Sequence, residues 1–220
     1  MTKQKDLDNL VNGIWFGHRA TRTVYTAHKQ GKPLVVLAGG SYAGKTAGAL
    51  NAILLVAQES SKRIVVFCEN FPLLKRDALH WWDHLLSSLN IPYQHNKTHH
   101  IYTIGKSTVE FRALDSASTA RGAKQDISYI VEVNLIDKAR YDQIMMRTNE
   151  MMVCCFNPSE RFWLIDEVLA YEDEEDYVFK RFTYKDNPFT PKKVQKTLEG
   201  YKNTDDALYR VYTLGLWGKT

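Results

Sequence analysis

Residues 39–46 constrain this chain most, because they match the phosphate-binding pattern G-x-x-x-x-G-K-[ST] at every specified position. An apolar, β-rich run over 34–38 precedes the pattern, and an Ala- and Leu-rich segment over 47–57 follows it. Strand, glycine loop and helix in that order form the unit in which such a loop works. A Gly- and Ser-rich connection without a ligand is the alternative, and the flanking context argues against it.

The residue types of the loop suit the phosphates of a nucleotide. Glycines let backbone N–H groups close around phosphate oxygens, and the N-terminus of the next helix adds its positive dipole. Lys45 is predicted to reach the β- and γ-phosphates, and the Thr46 hydroxyl to bind Mg²⁺. The predicted nucleotide-binding residues are Gly39, Gly40, Ser41, Tyr42, Ala43, Gly44, Lys45, Thr46 and Ala47.

Composition sets the outer limits of the fold. A chain of 220 residues that is 44% hydrophobic can bury one substantial core, with room for a small appended subdomain. Neither a signal peptide nor a membrane span is expected, because the N-terminus is polar and no apolar run is long enough. The odd number of cysteines, all in apolar runs, predicts reduced thiols in a cytosolic protein. The net charge of +4 permits a nucleic-acid partner without establishing one.

From residue 34 onward, β-rich runs alternate with amphipathic segments, which predicts an α/β fold with a mainly parallel sheet flanked by helices. Strands are predicted over 34–37, 63–68, 127–131 and 152–156, with a hairpin over 100–104 and 108–113. Helices are predicted over 45–58, 75–89, 137–147 and 159–170. After an acidic linker at 172–176, a strand over 177–183 and short helices over 191–201 and 205–212 are expected. The predicted division is a core over 1–176 and a lid subdomain over 177–220.

Glu132 ends the apolar strand predicted over 127–131. Nucleotide hydrolysis needs a carboxylate that orients water near the γ-phosphate, commonly at the end of a strand beside the phosphate loop. Val131 occupies the place of the usual preceding aspartate, so Mg²⁺ would rely on Thr46, the phosphates and water, with Glu132 acting through water. An exposed glutamate at a strand end is the alternative.

Arg121 lies eleven residues before Glu132, next to Gly122 in a polar loop. A mobile guanidinium there suits contact with the charge that develops on a transferring phosphate. An ordinary surface arginine explains the residue equally well.

Six sequence blocks follow one another along the chain: the loop at 39–46, E-N-F-P-L-L-K-R at 69–76, R-G-A-K-Q-D at 121–126, E-V-N at 132–134 with Y-D-Q-I at 141–144, F-N-P at 156–158 with F-W at 162–163, and T-Y-K-D-N-P-F at 183–189 with Y-R-V-Y at 209–212 and G-L-W-G at 215–218. Together they resemble the ATPase domain of the large terminase subunit, the DNA-packaging motor of tailed bacteriophages. The resemblance implies a P-loop NTPase of the ASCE type that hydrolyses ATP with Mg²⁺.

The resemblance also implies roles for particular residues. Lys45 and Thr46 would bind phosphate and Mg²⁺, and Glu132 would be the catalytic glutamate. Arg121 matches an arginine proposed to act in trans on a neighbouring subunit's nucleotide. Asn157 would sense the γ-phosphate and couple hydrolysis to movement, although an Asn-Pro pair is also ordinary turn chemistry.

The implied partners are double-stranded DNA, the portal protein, the small terminase subunit and further copies of the chain in a ring on the procapsid, in the host cytoplasm. A mostly monomeric isolated chain and no membrane partner are expected. The chain departs from the family pattern at Val131, where Asp or Asn is usual, and at Ser41, where many terminases have an arginine. The resemblance stops before the family's nuclease domain, so no nuclease activity is expected in this chain.

Two other functions remain open on the sequence. One is a helicase-like P-loop ATPase that unwinds strands. The other is a nucleotide-gated module that binds DNA or portal with little turnover, since Val131 weakens the case for a full metal site.

Overall fold

A computed structural model describes residues 18–115, 123–170, 173 and 175–218, and its centre is an eight-stranded sheet. The strands are β1 (Leu34–Gly39), β2 (Arg63–Cys68), β3 (Gln94–Asn96), β4 (Ile101–Ile104), β5 (Ser107–Ala113), β6 (Gln125–Ile130), β7 (Thr148–Phe156) and β8 (Tyr177–Phe182). Their order across the sheet is β3-β4-β5-β2-β6-β7-β1-β8. Every neighbouring pair in the row β5-β2-β6-β7-β1-β8 is parallel. The pairs β3–β4 and β4–β5 are antiparallel.

Helices cover both faces of the sheet. The longer ones are α1 (Arg19–Lys29), α2 (Lys45–Glu59), α3 (71–88), α4 (Lys138–Met145) and α5 (Lys192–Gly200). Helix α3 is α-helical at Phe71–Leu73 and His80–Ser88, with π-helical hydrogen bonding over Leu74–Leu79 between them. Shorter turns are Val133–Leu135, Leu164–Leu169, Tyr184–Asp186, Tyr201–Asn203, Asp206–Leu208 and Tyr209–Thr213.

The central strands are buried on both faces, which is why they are nearly continuous apolar runs. Alternate residues of each strand enter two separate apolar clusters. One cluster packs against α1, α2 and α3, and the other packs against α4 and the turn Leu164–Leu169. This sandwich holds the carboxyl ends of β1, β6 and β7 at one edge, where the phosphate loop begins. The fold class predicted from the sequence is confirmed.

Several elements differ from the predictions. Helix α1 and the short strand β3 were not predicted. The helix predicted over 159–170 is shorter, because Phe162 and Trp163 turn inward: Phe162 contacts the Phe156 ring, and the Trp163 indole N–H donates to the Ile136 carbonyl at 3.0 Å.

Strand β8 bears on the division of the chain. It pairs in parallel with β1 over its whole length, from Leu34 opposite Tyr177 to Gly39 opposite Phe182. Strand β8, the first element of the predicted lid, is therefore a strand of the main sheet, because it pairs with β1. Residues 183–218 then fold over the end of β1, and the division into core and lid otherwise stays a prediction.

The cysteines Cys68, Cys154 and Cys155 are buried and carry free thiols. Among the described residues, none of the helices combines the length and hydropathy that a membrane crossing requires.

Candidate nucleotide-binding site

The phosphate loop connects β1 to α2 with the backbone geometry that its glycines allow. Gly44 has φ +75°, in the left-handed region that favours glycine, and Lys45 begins the helix directly after it. Gly40 has no room for a side chain, because a Cβ there would lie 2.0 Å from the carbonyl oxygen of Tyr212. The sequence pattern thus specifies both a turn and a close approach of two backbones.

Lys45 is almost fully buried, with 6% of its surface exposed. Its ammonium donates to the carbonyls of Gly39 and Gly40 at 2.8 and 3.0 Å and to Asn157 Oδ1 at 2.8 Å. Burial lowers the pKa of Lys45, and the neighbouring Cys155 and Glu132 side chains oppose that shift. The lysine is therefore fixed where a phosphate would meet it.

Glu132 lies two residues after the end of β6, in a left-handed conformation with φ 51° and ψ 60°. Burial raises the pKa of its carboxyl, and the Lys45 charge and a hydrogen bond from the Asn157 backbone act in the opposite direction. A non-glycine residue in this conformation is uncommon and marks a position that its surroundings hold in place.

Sheet order explains why these groups meet. Strand β7 lies between β6 and β1, so the residues after the three strands are neighbours at one edge. Glu132 follows β6, Asn157 follows β7, and the phosphate loop follows β1. Ligands of parallel α/β sheets bind outside such carboxyl ends. The structure brings Lys45, Thr46, Glu132 and Asn157 to one cleft.

Beneath the loop, Tyr129 and Cys155 form a buried polar pair that the sequence reading missed. The Tyr129 hydroxyl lies 3.1 Å from Cys155 Sγ. The Thr46 side chain interacts with the same hydroxyl and lowers the pKa of the phenol, although burial, the larger effect, raises it. Both residues sit in apolar runs, so the pattern alone shows them only as core.

The cleft has a volume of about 790 Å³. Helix α3 supplies one wall through Asp77, Trp81 and His84, which lie on one helical face. Asp77 accepts two hydrogen bonds from the Arg76 guanidinium, at 2.7 and 3.0 Å. These residues were not predicted as part of the site, because their spacing also suits a helix packed on the core.

The segment after β8 supplies the opposite wall. Asn187 Nδ2 donates to the Tyr42 carbonyl at 2.8 Å, and the Thr190 hydroxyl lies 3.4 Å from the same oxygen. Phe189 and Pro191 line the cleft beside them, and His18, which precedes α1, completes this wall. The sequence reading of the T-Y-K-D-N-P-F block gave these residues no site role.

Val131 is 1% exposed and belongs to the apolar cluster that packs against α2. It therefore offers no oxygen to a metal. The oxygen-bearing side chains that line the cleft include Thr46, Asp77 and Glu132. Side-chain oxygens, phosphates and water are the types of ligand that Mg²⁺ takes in proteins. Among the described residues there is no group of three or more His, Cys, Asp or Glu side chains suited to a metal. Arg121 lies outside the described residues.

The parallel sheet, the glycine loop at the end of β1 and the helix that starts at Lys45 together define a P-loop NTPase fold. A family model described as phage terminase large subunit matches residues 33–216. The chain belongs to that family. A comparison with curated protein sequences finds no match.

Solved large terminases have the same fold. The large terminase of the thermophilic bacteriophage D6E in complex with ADP superposes with a TM-score of 0.75 at 20% identity, over 91% of this chain and 53% of that one. The HK97 large terminase gives 0.66 at 13% identity, over 89% and 49%. The ATPase domain from Thermus phage P74-26 gives 0.61 at 12% identity, over 88% and 92%. The chain thus spans about half the length of the D6E protein.

Proposed function

We propose that this chain is an ATP-hydrolysing motor domain of a phage large terminase, which drives double-stranded DNA into the procapsid. The observation that carries the proposal is the meeting of the phosphate loop, Glu132 and Asn157 in one cleft. Family membership supports the packaging role. The D6E large terminase has been solved with ADP and with ATP-γ-S, which supports nucleotide binding here.

Each of the cleft residues has a task in this mechanism. Lys45 transfers hydrogen bonds from the loop carbonyls to the β- and γ-phosphates, and the loop N–H groups hold the remaining oxygens. Glu132 orients the attacking water and accepts its proton. Asn157 contacts both Lys45 and Glu132, so it is placed to report the arrival of the γ-phosphate. Bound Mg²⁺ would be held by Thr46, with Glu132 through water, and would neutralise phosphate charge.

The partners follow from the family. We propose that copies of the chain form a ring on the procapsid with the portal protein and the small terminase subunit, in the host cytoplasm. Arg121 would act in trans on the nucleotide of a neighbouring subunit. Exposed lysines along α5 offer positive charge to DNA phosphates: Lys192, Lys193 and Lys196.

The test is ATP hydrolysis by the purified chain, with and without duplex DNA. Lys45→Ala should abolish turnover, and Glu132→Gln should retain ATP binding while turnover falls by at least about a hundredfold. Glu160→Gln, which changes an exposed carboxylate outside the cleft, is the matched control and should hydrolyse ATP like the wild type. Near wild-type hydrolysis by Glu132→Gln would refute the assignment of the catalytic glutamate.

A second function is favoured by one observation, the apolar environment of Val131. Without a carboxylate at that position, the cleft would bind nucleotide and control docking to DNA or portal with little turnover. Tight ATP binding without hydrolysis, at any protein concentration and with duplex DNA present, would support this gated module. A strand-displacement assay separates a helicase from both.

A further inference from the structure

Asn157 depends on its neighbours for its place in the cleft, because it lies just beyond the end of β7. Its side-chain Oδ1 accepts a hydrogen bond from the Lys45 ammonium at 2.8 Å, and its backbone N–H bonds to Glu132. A side chain that serves a site in this way must be held to within about half an ångström by the packing around it. Residues from a distant part of the chain supply that packing.

Trp217 and Gly218 contact both residues that flank Asn157. The Trp217 indole stacks on the Phe156 ring, with the ring centroids 5.7 Å apart and the ring planes at 23° to each other. The Gly218 N–H donates to the Pro158 carbonyl at 3.0 Å. The backbone that carries Asn157 is therefore held on both sides by the end of the G-L-W-G block.

Close packing fixes this contact. A Cβ on Gly218 would lie 2.7 Å from the Ser159 carbonyl oxygen and 2.6 Å from a Val211 methyl group, so no other side chain fits there without a shift. Arg210 Nε donates to the Trp217 carbonyl at 3.1 Å. Trp217 itself is half-buried against the apolar cluster that packs on α4.

The same stretch of chain also reaches the phosphate loop. The Tyr212 carbonyl oxygen lies so close to Gly40 that a Cβ on this glycine would be 2.0 Å away. Gly39 and Gly40 carry the two carbonyls that accept from the Lys45 ammonium. Residues 209–218 thus pack on the ends of both β1 and β7, the two strands whose ends hold Lys45.

The amide of Asn157 offers different groups to the lysine and to a phosphate. Its oxygen accepts from Lys45, and its Nδ2 carries two donors that suit a phosphate oxygen. ATP presents γ-phosphate oxygens at this end of the site, and ADP does not. A small displacement of Asn157 should therefore weaken ATP binding more than ADP binding.

We propose that Trp217 is a positioning residue for Asn157, and that its stacking on Phe156 allows the cleft to distinguish ATP from ADP. The inference rests on the proposed function for the contact between Asn157 and the γ-phosphate. It gives a role to the G-L-W-G block, whose residues do not line the cleft themselves.

The test compares a nucleotide that has a γ-phosphate with one that lacks it. Calorimetric titration of the full chain with ATP-γ-S and with ADP, both with Mg²⁺, is measured for the wild type, Trp217→Leu and Trp217→Phe. Trp217→Leu should weaken ATP-γ-S binding about tenfold while ADP binding changes less than about twofold, since a hydrogen bond to a charged group distinguishes the two ligands. Trp217→Phe keeps a smaller aromatic face and should weaken ATP-γ-S binding only about threefold.

A double-mutant cycle shows whether Trp217 acts through Asn157. Asn157→Ala removes the amide, so adding Trp217→Leu to it should change the ratio of ATP-γ-S to ADP affinity by less than about twofold. A further loss as large as the loss in the wild-type background would show that Trp217 acts on another group, and the proposal would be wrong.

Trp163→Leu is the matched control. This half-buried tryptophan packs on the same apolar cluster, and its ring centroid lies 4.9 Å from that of Tyr141 and 5.6 Å from that of Phe162. The variant should lose stability but leave the ratio of ATP-γ-S to ADP affinity within about twofold of the wild type. Equal losses of both nucleotides in Trp217→Leu would limit Trp217 to packing and overturn the proposal. If Trp217→Leu does not fold, an unchanged affinity ratio in Trp217→Phe overturns it.

Failure of the proposed function gives a different result. A wild-type chain that binds both nucleotides but hydrolyses no ATP contradicts the motor activity, and the comparison of the two nucleotides still decides the role of Trp217.

Discussion

At the scale of single residues, the cleft places charged groups where charge is unfavourable. Lys45 is buried and Glu132 is partly buried, and burial shifts both of their pKa values toward the neutral forms. Groups with shifted pKa values are common at functional sites, because burial and neighbouring charges there adjust the protonation state to the chemistry of the site. Burying these charged groups should lower the stability of the folded protein, and thermal unfolding can measure the loss.

Glu132→Gln should make the protein more stable at neutral pH while removing hydrolysis. A carboxyl whose pKa is raised on folding opposes folding as it ionises. Its penalty is therefore absent below the ordinary value of 4.5, grows as the pH rises above that value, and is complete above the folded pKa. Thermal unfolding should show a Tm a few degrees higher for Glu132→Gln at pH 7 and no difference near pH 4. A lower Tm at pH 7 would show that the Lys45 charge outweighs burial.

Tyr129→Phe should alter the dependence of ATP hydrolysis on Mg²⁺. The substitution removes the hydroxyl that lies between Thr46 and Cys155, so the Thr46 hydroxyl loses a neighbour that orients it. We expect the Mg²⁺ concentration for half-maximal hydrolysis to rise several-fold, with a stability loss of about 1 kcal/mol.

Tyr102→Phe is the control for that experiment. Tyr102 lies on β4, on the far side of β2 from the phosphate loop, and its hydroxyl donates to Asp83 of α3 at 2.7 Å. The substitution should therefore lower stability without changing the Mg²⁺ curve. Equal Mg²⁺ curves for the two variants would limit Tyr129 to a packing role.

Sequence reading found the residues whose chemistry has a fixed local spacing. Lys45 and Thr46 belong to a contiguous pattern, and Glu132 and Asn157 each end an apolar run. His18 and Tyr129 have no such signal, because only the packing of α1 and β6 against α2 brings them to the loop. The functional roles proposed for these residues stay predictions.

At the scale of elements, the apolar runs of β1, β2, β6 and β7 predicted the sheet well. Strands buried on both faces consist almost entirely of apolar residues, so they are recognisable in the sequence. Helix α1 was missed although Ala20, Val24 and Ala27 follow a helical spacing and are all buried. Their side chains are small, so the apolar face is weak beside the arginines and threonines around it.

A hydrogen bond from Asn187 to the Tyr42 carbonyl connects the segment after β8 to the phosphate loop, and a substitution can test its role. Asn187→Ala removes the hydrogen bond to the Tyr42 carbonyl and should cost about 1 kcal/mol of stability. Because Tyr42 has φ 58°, loss of this anchor should also loosen the loop. Amide exchange over 183–200 should become faster, and ADP affinity should fall several-fold.

Thr197→Ala is the control for the loop anchor, since its hydroxyl bonds to Lys193 within α5. It should leave amide exchange over 183–200 and ADP affinity unchanged. If Asn187→Ala behaves like this control, the segment after β8 packs on the loop without governing it.

At the scale of the whole molecule, one edge of the sheet carries Lys45, Glu132 and Asn157, and the two walls of the cleft come from distant parts of the chain. Helix α3 and the segment after β8 stand on opposite sides of the phosphate loop. A nucleotide between them would contact both, so its binding and loss could change their relative position. A motion of that kind would suit the motor activity proposed above.

Assembly is the last property that can be predicted at this scale. An arginine that acts in trans needs a neighbouring subunit, so hydrolysis should depend on contact between copies of the chain. We expect a mostly monomeric chain in solution, slow turnover, and activity per chain that rises with protein concentration. Light scattering and ATPase rates measured over the same concentration series test this expectation.

Mixing two inactive variants gives the sharpest version of the assembly test. Arg121→Ala lacks the trans arginine but keeps Glu132, and Glu132→Gln lacks the glutamate but keeps Arg121. At an interface between the two, an intact Arg121 can face an intact Glu132, so the mixture should recover part of the wild-type rate while each variant alone stays inactive. Lys45→Ala with Glu132→Gln is the control mixture, because an interface between those two still contains no complete site and should recover nothing. Activity per chain that is independent of concentration, with no recovery in the first mixture, would make Arg121 an ordinary loop arginine.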